Sequence, residues 1–138
     1  MRFKDTIGIS YDFRKIELIL RKKIDQALIP LHLTMPKYSV LAILEEQSKL
    51  TNAELARKSS VSPQTMVKIL HSMESEGLVN KKDDKTNDLK LHYSLTAKAK
   101  KIICLAHSEV HKIELDLISN LSKDEYASFQ KIFKKLKY

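Results

Sequence analysis

The stretch from Ser59 to Val79, SSVSPQTMVKILHSMESEGLV, decides the fold. Pro63 looks like a helix breaker, yet it stands directly after Ser62, a residue suited to capping a helix. At the first helical position the missing N–H of proline costs nothing and its fixed φ favours the helix. Met66, Ile69, Leu70 and Met73 then recur at helical spacing and predict a buried stripe. Gly77 follows the last of them and stops the helix as a C′ glycine. The opposite side carries Ser62, Gln64, Thr65, Lys68 and His71. Those are small polar groups, one long cation and an imidazole, with no catalytic logic among them.

Working outward, LTNAELARKSSV precedes this helix. Thr51 followed three residues later by Glu54 matches a capping box. Leu55 and Ala56 give a short apolar face of about two turns, and KSSVS breaks it. After Gly77 the period changes to two. Leu78–Lys82 reads as a short strand, Asp83–Asp88 as a polar tip, and a second strand returns. In that strand Leu89, Leu91, Tyr93 and Leu95 alternate with Lys90, His92 and Ser94, so the segment is an amphipathic β-hairpin. Short helix, tight turn, second helix and hairpin make a helix-turn-helix with a wing.

The flanks are helical. Tyr11–Ile29 sets Phe13, Ile16, Ile19, Leu20, Ile24, Leu28 and Ile29 along one broad stripe, and Pro30 ends or kinks it. LTMPKYSVLAILEEQ starts a further helix, with Thr34 as cap and Val40, Leu41, Ile43 and Leu44 feeding a core. Thr96 opens a long helix to about Asn120. LSKDEYASFQKIFKKLKY is a last amphipathic helix, capped by Ser122 with Glu125 at the third position. The expected fold is mainly α: a winged helix-turn-helix with a small β-hairpin wing and N- and C-terminal helices for dimerisation. It forms a single domain over 1–138, with a winged lobe at 33–96 and a helical region from 1–30 and 97–138.

Composition narrows the function classes. The 138 residues carry 25 Lys+Arg against 17 Asp+Glu, a net charge of +8. Phosphate binding is driven by cations that displace counterions, so nucleic acid is the first partner to test. The charge is spread: nine basic against six acidic residues in 1–50, nine against six in 51–100, and seven against five in 101–138. Any binding face must therefore come from folding and pairing. Only two glycines occur, Gly8 and Gly77. A phosphate-cradling loop needs several close together, and no nucleophile elbow or zinc-protease motif is present. No enzymatic activity and no cofactor are expected. A signal-peptide core and an apolar run of membrane-spanning length are missing, and Cys104 is a single cysteine. A cytoplasmic protein with no membrane partner fits these features.

A helix fits the major groove, where base edges present a readable donor and acceptor pattern, and a hairpin reaches the backbone or the minor groove. The polar side of the Pro63 helix suits that use. Winged helices also serve as protein-interaction or regulatory subunits, which is the alternative from another class. RNA or nonspecific duplex binding is a third reading, and it predicts no preference for a palindrome.

Across about residues 30–100 the chain resembles the MarR (multiple antibiotic resistance regulator) family of winged helix-turn-helix transcription factors. The elements that carry the resemblance are LTMPKYSVLAIL, LTNAELARKSSVSPQTMVKILHSMESEGLV and, after the wing, SLTAKAK. The terminal helices agree in length and placement. The resemblance implies a homodimer with interlocked terminal helices, binding double-stranded DNA as a repressor of a pseudo-palindromic operator. The sequence agrees independently. Ile19, Leu20, Ile24, Leu117, Ile118, Leu121, Phe129, Ile132, Phe133 and Leu136 make the outer helices apolar, and they are expected to flank the winged lobe without completing its core.

The resemblance maps DNA contact onto Ser62, Gln64, Thr65 and Lys68, with His71 further along the same face. Lys68 stands where relatives often carry a base-reading arginine, and Val67 or its neighbours are placed to meet a thymine methyl group. The wing departs from the family. Where Asp-Arg-Arg is usual, this chain has Asn87-Asp88-Leu89. Lys85 and Lys90 are the cations available there, with Lys81 and Lys82 at the base, so backbone-phosphate contact replaces minor-groove arginine. The family's glycine after Leu-Thr is Ala99.

Family members are often released from DNA by small phenolic molecules, metals or thiol oxidation. Cys104, His107 and His111 stand at helical spacings of three and four and are candidate metal ligands, with Glu114, His32 or a partner chain completing the set. Core or surface roles explain the same three residues. Cys104 is expected to be a small buried residue, unsuited to redox sensing. Tyr11, Phe13, Tyr38 and His32 are candidates to line a crevice for a small-molecule effector.

Overall fold

A computed structural model describes residues 8–83 and 91–138. The helices are α1 (Gly8–Leu28), α2 (Met35–Glu46), α3 (Asn52–Lys58), α4 (Pro63–Ser75), α5 (Ala97–Leu117) and α6 (Lys123–Phe133). The strands are β1 (Leu50–Thr51), β2 (Val79–Asp83) and β3 (Leu91–Leu95). They form one antiparallel sheet in the order β1-β3-β2.

Local signals set most boundaries. Thr34, Thr51, Ser62, Thr96 and Ser122 each cap the helix that follows with a side-chain oxygen. Thr51–Glu54 and Ser122–Glu125 complete capping boxes, each satisfying two backbone N–H groups. The helix α4 closes with paired bonds: Gly77 N–H to Glu74 C=O at 3.0 Å, and Leu78 N–H to Met73 C=O at 2.8 Å. The φ of +73° at Gly77 permits this Schellman closure. Leu78 and Met73 are both buried at the same corner.

Several elements differ from expectation. α1 runs three residues earlier than Tyr11 and gives way after Leu28 to a 3-10 turn over Ile29–Leu31. Proline has no N–H for the α-helical ladder, so Pro30 is accommodated in the first turn of a new helix. α5 stops at Leu117 and α6 at Phe133, both short of their expected ends. The expected strand at Leu78–Lys82 lies one residue later, and β1 pairs with β3 through Leu50–Tyr93 and Thr51–His92. Leu89 and the rest of the wing tip, with Lys85, Lys90 and Asn87-Asp88, lie outside the described residues.

The core gathers Leu28, Val40, Leu41, Leu55, Met66, Leu70, Met73, Ala99, Ile103 and Ala106 from α1, α2, α3, α4 and α5. The terminal helices thus do more than flank the lobe. Ile24 and Leu28 of α1 and Ile103, Ala106 and Val110 of α5 complete its core. Their outer parts remain uncovered in the single chain: Phe13, Ile16, Ile19, Leu117, Leu121, Phe129, Ile132, Phe133 and Leu136 are exposed. α6 has no buried residue at all. Among the described residues no single helix is long and apolar enough to cross a membrane.

Candidate nucleic-acid interface

The helix α4 is held from beneath. Met66, Leu70 and Met73 are almost completely buried, each contributing about 1.5–3 kcal/mol from burial. At its start Ser62 Oγ accepts the N–H of Thr65 at 3.1 Å and donates to Thr65 Oγ1 at 2.9 Å. Asn52 Nδ2, on the first residue of α3, donates to the Pro63 carbonyl at 3.2 Å. The turn between α3 and α4 is closed by Ser60 at φ +54°, in the left-handed region more often given to glycine.

Fixing the buried side fixes what faces out. Gln64, Lys68 and His71 follow at intervals of four and three and share one face, with Thr65 beside Lys68. All four are exposed, as is Ser62. Ser62 serves chiefly as the cap, and because it donates to Thr65 Oγ1 it leaves the Thr65 hydroxyl proton free to point outward. Lys68 enters no ion pair among the described residues. The positive end of the α4 dipole lies at this polar end. Val67 is 56% exposed, an apolar surface at the border of the polar face.

Lys81 and Lys82 are both exposed, but strand pairing separates them. Lys81 faces Tyr93 and shares the core side of the sheet, whereas Lys82 faces His92 on the other side. The two lysines at the wing base therefore do not form one patch. Ala99 is the third residue of α5 and is buried within the helix, so the family's glycine is not needed there.

The candidate ligands on α5 are divided. His107 turns toward α2, with Nδ1 2.7 Å from the Tyr38 hydroxyl and Nε2 2.6 Å from Glu45 Oε2. Both its ring nitrogens are thereby used. His111 Nδ1 lies 3.9 Å from Glu114 Oε2, and Cys104 is exposed, contrary to the expectation of burial. Among the described residues no three His, Cys, Asp or Glu side chains converge to hold a metal. Burial raises the Tyr38 pKa above its usual value, helped by the charges of Glu114 and Glu45. Of the aromatic residues expected to line a crevice, Phe13 packs edge-on against Phe133 and Tyr38 against His107. Sequence reading missed the Tyr38–His107–Glu45 bridge and the Asn52 tie, because each joins residues distant in the chain.

The MarR family model matches residues 33–88. Over 136 residues the chain is 29% identical to the HTH-type transcriptional repressor Rv2887 of Mycobacterium tuberculosis, covering 99% of this chain and 98% of that protein. The crystal structure of the M. tuberculosis protein Rv2887 in complex with DNA superimposes with a TM-score of 0.80 at 27% identity, covering 95% of this chain and 98% of that one. Its complex with salicylic acid gives 0.77 at 28% identity, covering 94% and 96%. With its winged helix-turn-helix architecture and likenesses over nearly its whole length, the chain is similar to proteins of the MarR family.

Proposed function

We infer that the protein is a sequence-specific, DNA-binding transcriptional regulator that acts in the cytoplasm as a homodimeric repressor of a pseudo-palindromic operator. The observation that carries this reading is the exposed Gln64–Thr65–Lys68–His71 face on a helix fixed by its cap and core. The likeness to a named repressor solved with DNA supports it. Residues 33–96 form the DNA-binding lobe, and 1–30 with 97–138 the dimerisation region. The uncovered apolar residues of α1, α5 and α6 are the surface that a second copy covers. Ser62, Gln64, Thr65, Lys68 and His71 meet the major groove, and Lys81, Lys82, Lys85 and Lys90 supply phosphate contacts. A small aromatic acid is the class of effector that releases the DNA, by analogy with the relative solved with salicylic acid. The protein works by binding and catalyses nothing.

Selection of duplexes from a random pool tests the reading. The expected product is a palindrome with half-sites about one turn apart, roughly 34–36 Å, whose affinity falls steeply with salt. A selection that enriches no sequence refutes it and favours a protein-interaction subunit.

A further inference from the structure

Glu76 is the cap residue at the C-terminal end of α4. An anion there opposes the helix dipole, whose negative end lies at the same place. Around it the structure arranges compensation. Lys37 Nζ of α2 lies 2.6 Å from Glu76 Oε1, and the Lys37 side chain is only 16% exposed. Ser72 Oγ donates to the same oxygen at 3.2 Å. Lys98 Nζ of α5 donates to the Glu76 carbonyl at 2.8 Å, and Thr96 Oγ1 to the Gly77 carbonyl at 2.7 Å. The end of α4 is thus gripped from two helices at once.

We infer that Glu76 is a positioning residue which, with Lys37 and Lys98, sets the angle at which α4 is presented and hence the half-site spacing the protein accepts. The inference rests on the DNA-binding reading above. α4 has 13 residues and is about 20 Å long. Its buried stripe and the Asn52 tie hold the helix against the core from its start to Met73, and the polar clamp then fixes the direction of its last turn. A shift of about 1 Å there turns the helix by about 3°, given that length. The clamp reaches α5 through Lys98 and Thr96, the long helix whose outer end belongs to the dimerisation surface. It therefore links the orientation of the reading helix to the frame that fixes the distance between its two copies.

The test uses the full-length protein and the duplex that wild type selects from a random pool. Versions with one base pair inserted or removed between half-sites, and a random duplex, complete the set. Lys37→Met keeps the aliphatic stem and removes the charge. It is expected to bind the selected duplex about tenfold more weakly, the scale of one charge-assisted hydrogen bond. It should also discriminate less among the spacings, with random-duplex affinity little changed. Lys37→Arg should restore the spacing preference. Glu76→Gln should behave as Lys37→Met does, and serves if that variant does not fold. Wild-type affinity and spacing preference in both Lys37→Met and Glu76→Gln overturn the clamp, as does an equal loss on every duplex that Lys37→Arg does not repair. If wild type selects no duplex, the DNA-binding reading itself falls and the positioning role with it.

Discussion

Replacement of Lys68 by alanine separates base reading from phosphate binding. Lys68 is exposed, forms no ion pair among the described residues, and lies on the side of α4 away from Met66, Leu70 and Met73. Its removal should change folding stability by less than about 0.5 kcal/mol, as for other surface positions free of special contacts. Binding is another matter. A side chain that reads a base edge contributes about 1–3 kcal/mol. Lysine lacks the paired donors of arginine, so the lower end applies. A homodimer loses the contact in both half-sites, which gives about 2 kcal/mol, or roughly thirtyfold in affinity.

Fluorescence anisotropy on the selected duplex, at several salt concentrations, measures this loss. The same titration on duplexes altered at single base pairs locates it. Base reading predicts that Lys68→Ala relaxes preference at one position in each half-site. A phosphate contact predicts uniform weakening across sequences and a salt slope reduced by about one per contact, thus about two in the dimer. Unchanged affinity for the selected duplex would remove Lys68 from the interface altogether. Uniform weakening would leave it in the interface but transfer base discrimination to Gln64 and Thr65.

Ser62→Ala removes a cap bonded to Thr65 N–H and should cost about 1 kcal/mol in urea unfolding; a loss below the error of the measurement would show that Pro63 alone starts the helix. Leu70→Ala, at a site 1% exposed, should cost about 2–5 kcal/mol, whereas Val67→Ala should leave stability nearly unchanged, and equal losses would contradict the assigned faces of α4. The Glu54 pKa is lowered chiefly by the hydrogen bond from the Thr51 N–H, so the stabilisation it provides is present above its unfolded pKa, about 4.3, and is lost as pH falls through the lower folded value. Glu54→Gln should accordingly flatten the acid limb of the stability curve, and an unaltered limb counts against the capping box as its source. Phe129→Ser combined with Phe133→Ser should shift sedimentation from dimer to monomer and abolish binding to the palindrome; a dimer that persists in the double variant places the interface elsewhere.

What could be read from the sequence follows the range of the forces involved. The Ser62 cap, Pro63, the Gly77 stop and both capping boxes act within four residues, and each stands in the structure where the sequence put it. The outward face of α4 was equally legible, because helical period links it to a stripe of large apolar residues. β1 was not: two residues, Leu50 and Thr51, become a strand only through partners at Tyr93 and His92. His107 was read as a metal candidate from spacing along its own helix, but its ring is claimed by Tyr38 and Glu45, 69 and 62 positions away. Period two already implied that Lys81 and Lys82 face opposite ways, yet their adjacency invited treatment as a pair.

The end of the chain shows how local and distant forces divide the work. α6 carries a full capping box and an apolar stripe, and those suffice to specify a helix there. They do not suffice to hold one: a helix of 11 residues is marginal in water, where most helical stability comes from packing. Within one chain, packing of Phe13 and Phe129 on Phe133 still leaves Phe129, Ile132, Phe133 and Leu136 exposed. Burial of such side chains contributes about 1.5–3 kcal/mol each, so a second copy packed there would supply the stability that the capping box cannot. Order in α6 and dimerisation would then rise and fall together. Because α5 carries both part of that surface and the Lys98 contact to the end of α4, loss of such a partner would also loosen the support beneath α4.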